Sequence, residues 1–441
     1  MWSAQDSTAH GQRRARRTIR WAALIAASGA VVGSVAALQP KDPETVAAPS
    51  IRDVDGGADY YARFAPSLPS AATFFPVAVW FESVLEARDS STDLEAGINT
   101  YLELTADTDF QLIADAGMFA IPSSTPSGAA GFLLPDEPDM WAGPGDAQWT
   151  GNYPGQGEIC LPAGARCGYT IQRTSVDLAP KGILLYANYG KGVAFWETDA
   201  EAAKFVNGYA HVVSADTYWF TDPSICDPGE GGRGRQLTQD ECRLAANYGW
   251  TVERMRSLVS PQGSKPVWGF VEVGHPSTDQ DAPTITAPQI RAAVWSSIIH
   301  GARGIVYFNH NFGGPCESQH VLRDRCGAEI RPTVTAVNRQ ISALAPVLNA
   351  PFVDGLMTTN GQVDLAVKLH DGSFYVLAAS TQQGPQRVAF SSVCSSGQVA
   401  TVLGEDRTVP IRNGGFSDAF ADGNTVHIYR IDGGDTCGVA P

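Results

Sequence analysis

The chain lacks the patterns by which proteins usually hold metals and phosphates. No Cys-x-x-Cys occurs, and the eight histidines fall at no ligand spacing, which speaks against a metal site. The first long apolar run ends in Trp80, Phe81, Glu82 and Ser83 rather than in a glycine-rich turn, which excludes a dinucleotide-binding fingerprint. Ser, His and Asp show no nucleophile-triad order. No internal repeat is found, and the 45 glycines and 28 prolines are not periodic, so collagen-like and low-complexity readings fail. Basic residues are few: 31 Lys and Arg face 46 Asp and Glu, for a net charge of −15. Such acidity disfavours nucleic acid and anionic membrane surfaces as partners. What is present is an ordinary globular composition, 44% hydrophobic and 17% charged, in 441 residues, enough for two or three domains and a large core.

The N-terminus departs from this texture. Residues 11–20 hold five arginines, and residues 21–38 hold no charge. A basic stretch, an apolar stretch and the small residues around Ser34 and Ala36 are the parts of an export signal. Arg16-Arg17 loosely resembles a twin-arginine signal. The alternative is an uncleaved membrane anchor, since the uncharged stretch is just long enough to span a bilayer. No other segment is. Cysteine usage agrees with export: eight cysteines fall into neighbouring pairs, Cys160/Cys167, Cys226/Cys242, Cys316/Cys326 and Cys394/Cys437. These read as four disulfides, each closing one loop in an oxidising compartment.

Residues 39–70, rich in Ala, Pro, Ser and Asp, read as a linker. Eight short apolar runs then alternate with helix-like stretches: 74–81, 98–104, 118–123, 131–135, 182–189, 211–220, 266–273 and 304–312. This alternation predicts an α/β fold with a parallel sheet, and eight units over such a length predict a (β/α)8 TIM barrel at 71–348. An open doubly wound sheet is the structural alternative. After Pro351 the pattern turns to period-two alternation with a His-Asp-Gly-Ser hairpin signal at 370–373, so residues 349–441 read as a small antiparallel β-sandwich.

In such barrels, function gathers at the C-terminal strand ends. Trp80 closes the first run, Asp136, Glu137 and Asp139 the fourth, and Asn188 the fifth; Asp216, Tyr218 and Trp219 close the sixth, Glu272 the seventh, and Asn309 and His310 the eighth. Aromatics stack on sugar rings, amides and carboxylates bond sugar hydroxyls, and two carboxylates flanking a glycosidic bond supply acid/base and nucleophilic chemistry. The best-placed pair is Glu137 and Glu272. Each has a bland reading. Asp-Glu-Pro-Asp is also a fair helix start, and Glu272 could be one polar residue in an apolar strand, although a buried glutamate needs a partner.

Pro-Asp-Glu-Pro-Asp (135–139), Gly-Phe-Val-Glu-Val-Gly (269–274) and Gly-Ile-Val-Tyr-Phe-Asn-His (304–310) together resemble the clan A retaining glycoside hydrolases, over about 74–330. The resemblance implies a (β/α)8 barrel with Glu137 as acid/base, Glu272 as nucleophile and Tyr218 bonded to the nucleophile. It implies a carbohydrate substrate, no cofactor and a monomer. Two positions depart from that group: Asp136 stands where it usually has Asn, and Phe308 or its neighbours replace the usual tryptophan of the eighth strand. Trp80, Asp136, Asn188, Asp216, Tyr218, Trp219, Asn309 and His310 are expected to contact sugar. The loops 141–180 and 221–242, each carrying a cysteine pair, are the expected cleft walls. Two alternatives remain: an aspartate pair, Asp136 and Asp216, as in some α-glycosidase barrels, or a carbohydrate-binding pseudoenzyme of the cell surface.

Overall fold

The computed structural model describes residues 48–145, 167–394 and 398–433, with the backbone of two short strands at 148–149 and 160–161. The basic and apolar segment 1–38 therefore lies outside the described residues. No described helix is long and apolar enough to cross a membrane.

The apolar runs form strands. In chain order these are β1 (Ser50–Arg52), β2 (Val77–Glu82), β3 (Thr100–Leu104), β4 (Phe119–Ile121) and β5 (Phe132–Leu133), then β6 (Gln148–Trp149), β7 (Cys160–Leu161), β8 (Leu185–Tyr189), β9 (Val212–Ala215), β10 (Gly269–Glu272) and β11 (Ile305–Phe308). Two parallel sheets result, ordered β10-β11-β2-β3-β4 and β5-β8-β9. Helices follow most strands, for example Ala87–Glu95 after β2 and Asp199–Gly208 after β8. Backbone bonds cross both gaps between the sheets. Leu133 N–H donates to the Pro122 carbonyl at 2.9 Å between β5 and β4. Trp268 N–H donates to the Val213 carbonyl at 2.9 Å between β10 and β9.

Both faces of these strands are apolar, which is why they read as continuous runs. Ala78, Trp80, Leu102, Leu133, Tyr186, Trp268, Phe270 and Phe308 form one buried cluster. Their neighbours, such as Val77, Val79, Tyr101, Leu134, Ala187 and Val271, join the helices in a second, larger one. The period of two along each strand decides which cluster a side chain enters.

The C-terminal part is antiparallel. Strands Phe352–Asp354, Val363–His370, Ser373–Ser380, Val426–Asp432, Val399–Val402 and Arg407–Pro410 lie in one sheet. Strands Met357–Thr359, Gln386–Ser392 and Gly415–Phe420 form a second, three-stranded sheet. Asp371 and Gly372 both take positive φ at the turn joining Val363–His370 to Ser373–Ser380, as a two-residue hairpin requires. The seventh strand of the larger sheet is β1, paired to Phe352–Asp354. The described part of the expected linker is thus folded structure: Arg52 pairs with Asp354 at 2.7 Å, and Tyr60, Tyr61 and Leu68 are buried. The composition of this stretch hides a strand whose partner lies some 300 residues away, 302 for that ion pair.

Cys226–Cys242 and Cys316–Cys326 form the expected disulfides. The expected pairings Cys160–Cys167 and Cys394–Cys437 are not seen directly, because the side chains of Cys160 and Cys437 lie outside the described residues. Cys167 and Cys394 are themselves disulfide-bonded. The place of Cys167 differs from the expected one in a loop walling the cleft. It is fully buried, next to the backbone carbonyls of Ala142, Gly143 and Pro144, and it forms the N-cap of the helix Gly168–Leu178. The reason is local: Gly168, Tyr169, Ile171 and Gln172 pack inward in the first turns of that helix, which carries Cys167 into the interior. The last part of the expected wall 141–180 is therefore a packed helix.

Candidate active site

Strand β5 delivers its carboxylates through a strained turn. Pro138 opens the short helix Pro138–Trp141, and Glu137 precedes it with φ 45° and ψ 42°, the left-handed region. An ordinary side chain there costs about 1–2 kcal/mol. The Glu137 side chain caps nothing in this helix, so the helix-start reading does not explain the residue. Asp139 has the structural task instead. Its buried carboxyl accepts the Gly190 N–H at 3.0 Å and the Val193 N–H at 2.8 Å, pinning the turn after β8. Gly190 leaves room for the Glu137 and Met140 side chains, since a Cβ there would displace Glu137 Oε1 and Met140 Sδ.

Three strand ends converge on the cluster. Asn188 on β8 donates through Nδ2 to Asp136 Oδ1 and to Asp216 Oδ1, both at 3.0 Å. Its own Oδ1 accepts from Ser214 Oγ at 2.6 Å. Tyr218 OH donates to Asp216 Oδ2 at 2.7 Å. The Glu137 and Asp216 carboxyls are hydrogen-bonded partners as well. Burial holds the Glu137 carboxyl well above the usual range, reinforced by the charges of Asp216 and Asp136. Asp216 is also raised by burial, but its bonds from Glu137, Tyr218 and Asn188 pull it down. Of the two, Glu137 is the one held further above its ordinary range. Asp136 is pushed up first by desolvation and then by the charge of Asp216. Its residue surface is nonetheless exposed, so solvent screens that shift.

Glu272 stands apart from this cluster. At the end of β10, fully buried, its Oε1 accepts the Phe220 N–H at 2.8 Å and the Tyr248 hydroxyl. Its Oε2 and the Thr221 hydroxyl face each other and find no other partner among the described residues. Burial pushes its carboxyl up to about 7 against the pull of Thr221, Tyr248 and the Phe220 N–H. The expected bond from Tyr218 to Glu272 is not made. Tyr248 on the helix Ala246–Leu258 takes that place, and Tyr218 serves Asp216.

Beside the cluster, a cleft of about 650 Å³ opens along the ends of β2 and β3, lined by Trp80, Phe81, Glu103, Leu104, Thr105, Ala106, Ser123 and Asp136. Asp136 and Trp80 are thus at the cleft. The other expected sugar contacts are not among its lining residues. Trp219 is 1% exposed, with its indole N–H on Thr251 and its ring against Phe195, because the loop after β9 folds it under the helix Ala246–Leu258. Asn309 is fully buried between Glu82 Oε1 and the Leu322 N–H. His310 is 3% exposed and supports the backbone carbonyls of Trp80 and Phe81. Asn188 is also buried and acts on Asp136 and Asp216 rather than outward. A larger cavity of about 750 Å³, walled by Phe195, Glu197, Arg233 and Trp250, contains none of the clustered carboxyls.

Sequence reasoning missed Tyr248, which no local signal marks. It also missed the left-handed backbone of Phe81 and Glu103, at φ 56° and 53°. Among the described residues no group of His, Cys, Asp and Glu is arranged to hold a metal ion.

No family model matches the chain, and no curated protein matches it. Among solved structures, a family 5 glycoside hydrolase from Bacteroides vulgatus is similar at 11% identity and a TM-score of 0.49, over 81% of this chain and 90% of that one. A family 42 β-galactosidase from G. stearothermophilus is similar at 8% identity and a TM-score of 0.49, over 82% and 98%. An Anoxybacillus α-amylase is similar at 11% identity and 0.44, over 82% and 98%. With scores below 0.5 these likenesses carry no functional argument, which rests on the residues themselves.

Proposed function

We propose that the chain is an exported glycoside hydrolase whose proton donor is Glu137. One observation carries this reading above the others. Glu137 is a carboxyl whose hold on its proton is raised by burial and by its bonded neighbour Asp216, on a strained turn beside an open cleft rimmed with Trp80 and Asp136. A raised carboxyl next to ionised partners is the arrangement by which a general acid carries its proton at neutral pH. The parallel strand order and the backbone bonds across both sheet gaps support closure into a (β/α)8 barrel, with this cluster at the strand ends where such barrels act. The basic-then-apolar N-terminus and the two disulfides support export.

In the reaction, Glu137 protonates the departing glycosidic oxygen, and a carboxylate attacks the anomeric carbon; water then releases the sugar with Glu137 as base. Glu272 is the proposed nucleophile: one oxygen is fixed by two donors and the other meets only the Thr221 hydroxyl. It is completely buried, so this reading needs the site to open when substrate binds. A second reading has a specific observation in its favour. Asp216 is already bonded to Glu137, so Asp216 could be the working partner, with Asp136 facing the sugar. Glu272→Gly tests the choice. Loss of activity restored by azide, with an azide adduct of inverted configuration, supports Glu272; undiminished activity removes it.

A further inference from the structure

The left-handed residues of β2 and β3 are not scattered. Trp80 pairs with Leu102 and Glu82 with Leu104, so Phe81 and Glu103 face each other across the two parallel strands. Both have positive φ at the same level, and both line the cleft beside Asp136. A phenylalanine is a rare occupant of that backbone region. A plain strand ending would be made with Gly or Asn at less strain. Each residue is held in place by dedicated contacts. His310 Nε2 lies 3.0 Å from the Phe81 carbonyl, and the imidazole stacks on the Phe81 ring at 5.8 Å between centroids. Glu103 Oε1 accepts from Ser123 Oγ at 3.0 Å and from the Leu104 N–H at 3.1 Å. Despite this support, the Phe81 ring remains 42% exposed. Strain maintained by neighbours at a cleft points to a functional contact rather than to packing alone.

We infer that Phe81 and Glu103 form a sugar-binding subsite adjoining the cleavage centre, taking one pyranose unit of a glycan chain. Phe81 covers the C–H face of the ring, and the carboxylate of Glu103 accepts hydroxyl donors along its edge. The inference rests on the hydrolase reading and extends it to a chain substrate that occupies at least two subsites.

The test uses the full chain with cellohexaose, laminarihexaose, maltohexaose, xylohexaose and mannohexaose, and with the 4-nitrophenyl monoglycosides of the same sugars. For the hexaose that is cleaved, Phe81→Ala and Glu103→Gln should each raise KM about tenfold or more, the order of one lost charge-assisted or stacking contact. The kcat/KM on the monoglycoside should stay unchanged, because one sugar fills only the cleavage subsite. Phe81→Gly should raise KM equally while its Tm stays level or rises, since it relieves the left-handed strain. Unchanged KM on the hexaose in both variants overturns the subsite and leaves the hydrolase reading standing. So do parallel losses on both substrate types accompanied by a lower Tm. Failure of the wild-type chain to cleave any probe overturns both readings together.

Discussion

Replacing Asp216 by Asn removes a negative charge from beside Glu137 while keeping the volume and one hydrogen-bonding oxygen. Two unit charges about 4 Å apart at an effective dielectric of about 20 interact by ~4 kcal/mol, which corresponds to about three pH units. Glu137 is part-exposed rather than sealed, and Asp136 stays in place, so screening reduces the expected shift to about one to two units. The sign follows from the role. Glu137 acts as an acid only while protonated, so activity falls as pH rises through its elevated pKa. Removing Asp216 lowers that pKa, and the alkaline limb of kcat/KM against pH should move to lower pH by that amount. Measurement of kcat/KM across the pH range on an aryl glycoside, with Asp216→Asn beside wild type, reads the shift directly. An alkaline limb that stays put, or moves upward, would refute the coupling between these carboxyls.

Other expectations follow from the same geometry. Glu272 is buried with a carboxyl raised to about 7, so its ionisation opposes folding above the unfolded value near 4.5. That contribution grows between about 4.5 and about 7 and levels off above, at about 3 kcal/mol. Glu272→Gln should therefore melt higher relative to wild type at pH 8 than at pH 5 in a thermal scan, while losing activity if Glu272 is the nucleophile. Gly190→Ala pushes against the Glu137 carboxyl and Met140, so activity should fall through a displaced Glu137 while Tm changes little. His300 joins Glu253 at 3.0 Å to Asp364 of the C-terminal sheet at 2.9 Å, and its pKa rises to about 9. Stabilisation by the protonated form is complete below the unfolded value near 6.5 and is lost as pH climbs through 9. His300→Gln should thus lower Tm more at pH 6 than at pH 10.

The strand positions were legible because buried parallel strands are apolar on both faces, and a run such as Gly-Ile-Leu-Leu-Tyr-Ala-Asn-Tyr can hardly be anything else. The clustering of Asp136, Glu137 and Asp216 at strand ends was legible for the same reason: charge placed at the end of such a run has few structural uses. The rest depended on contacts distant in sequence. Glu272 sits at a strand end like Glu137, yet its surroundings are set by Phe220 and Tyr248, which a loop and a helix bring in from 52 and 24 residues away. Trp219 carries the same aromatic signal as a sugar platform, but the chain reverses after Asp216 and buries it. Cysteine spacing marked Cys167 as a disulfide residue, but not its burial at a helix start. Phe81 and Glu103 look like ordinary strand residues, since a left-handed φ in a non-glycine residue leaves no mark in composition. The β1 pairing was hidden for a related reason: a three-residue edge strand is too short to show periodicity.

Hydrolysis of the hexaose panel followed by proton NMR, with wild type and Glu137→Gln run in parallel, bears most directly on the role of Glu137. The expected result is cleavage of at least one hexaose by wild type, with the first-formed product keeping the anomeric configuration of the bond. Glu137→Gln should lose that cleavage yet retain measurable turnover on an activated aryl glycoside, whose leaving group needs no proton. A Glu137→Gln variant that cleaves the hexaose at the wild-type rate would contradict the assignment of Glu137 as proton donor.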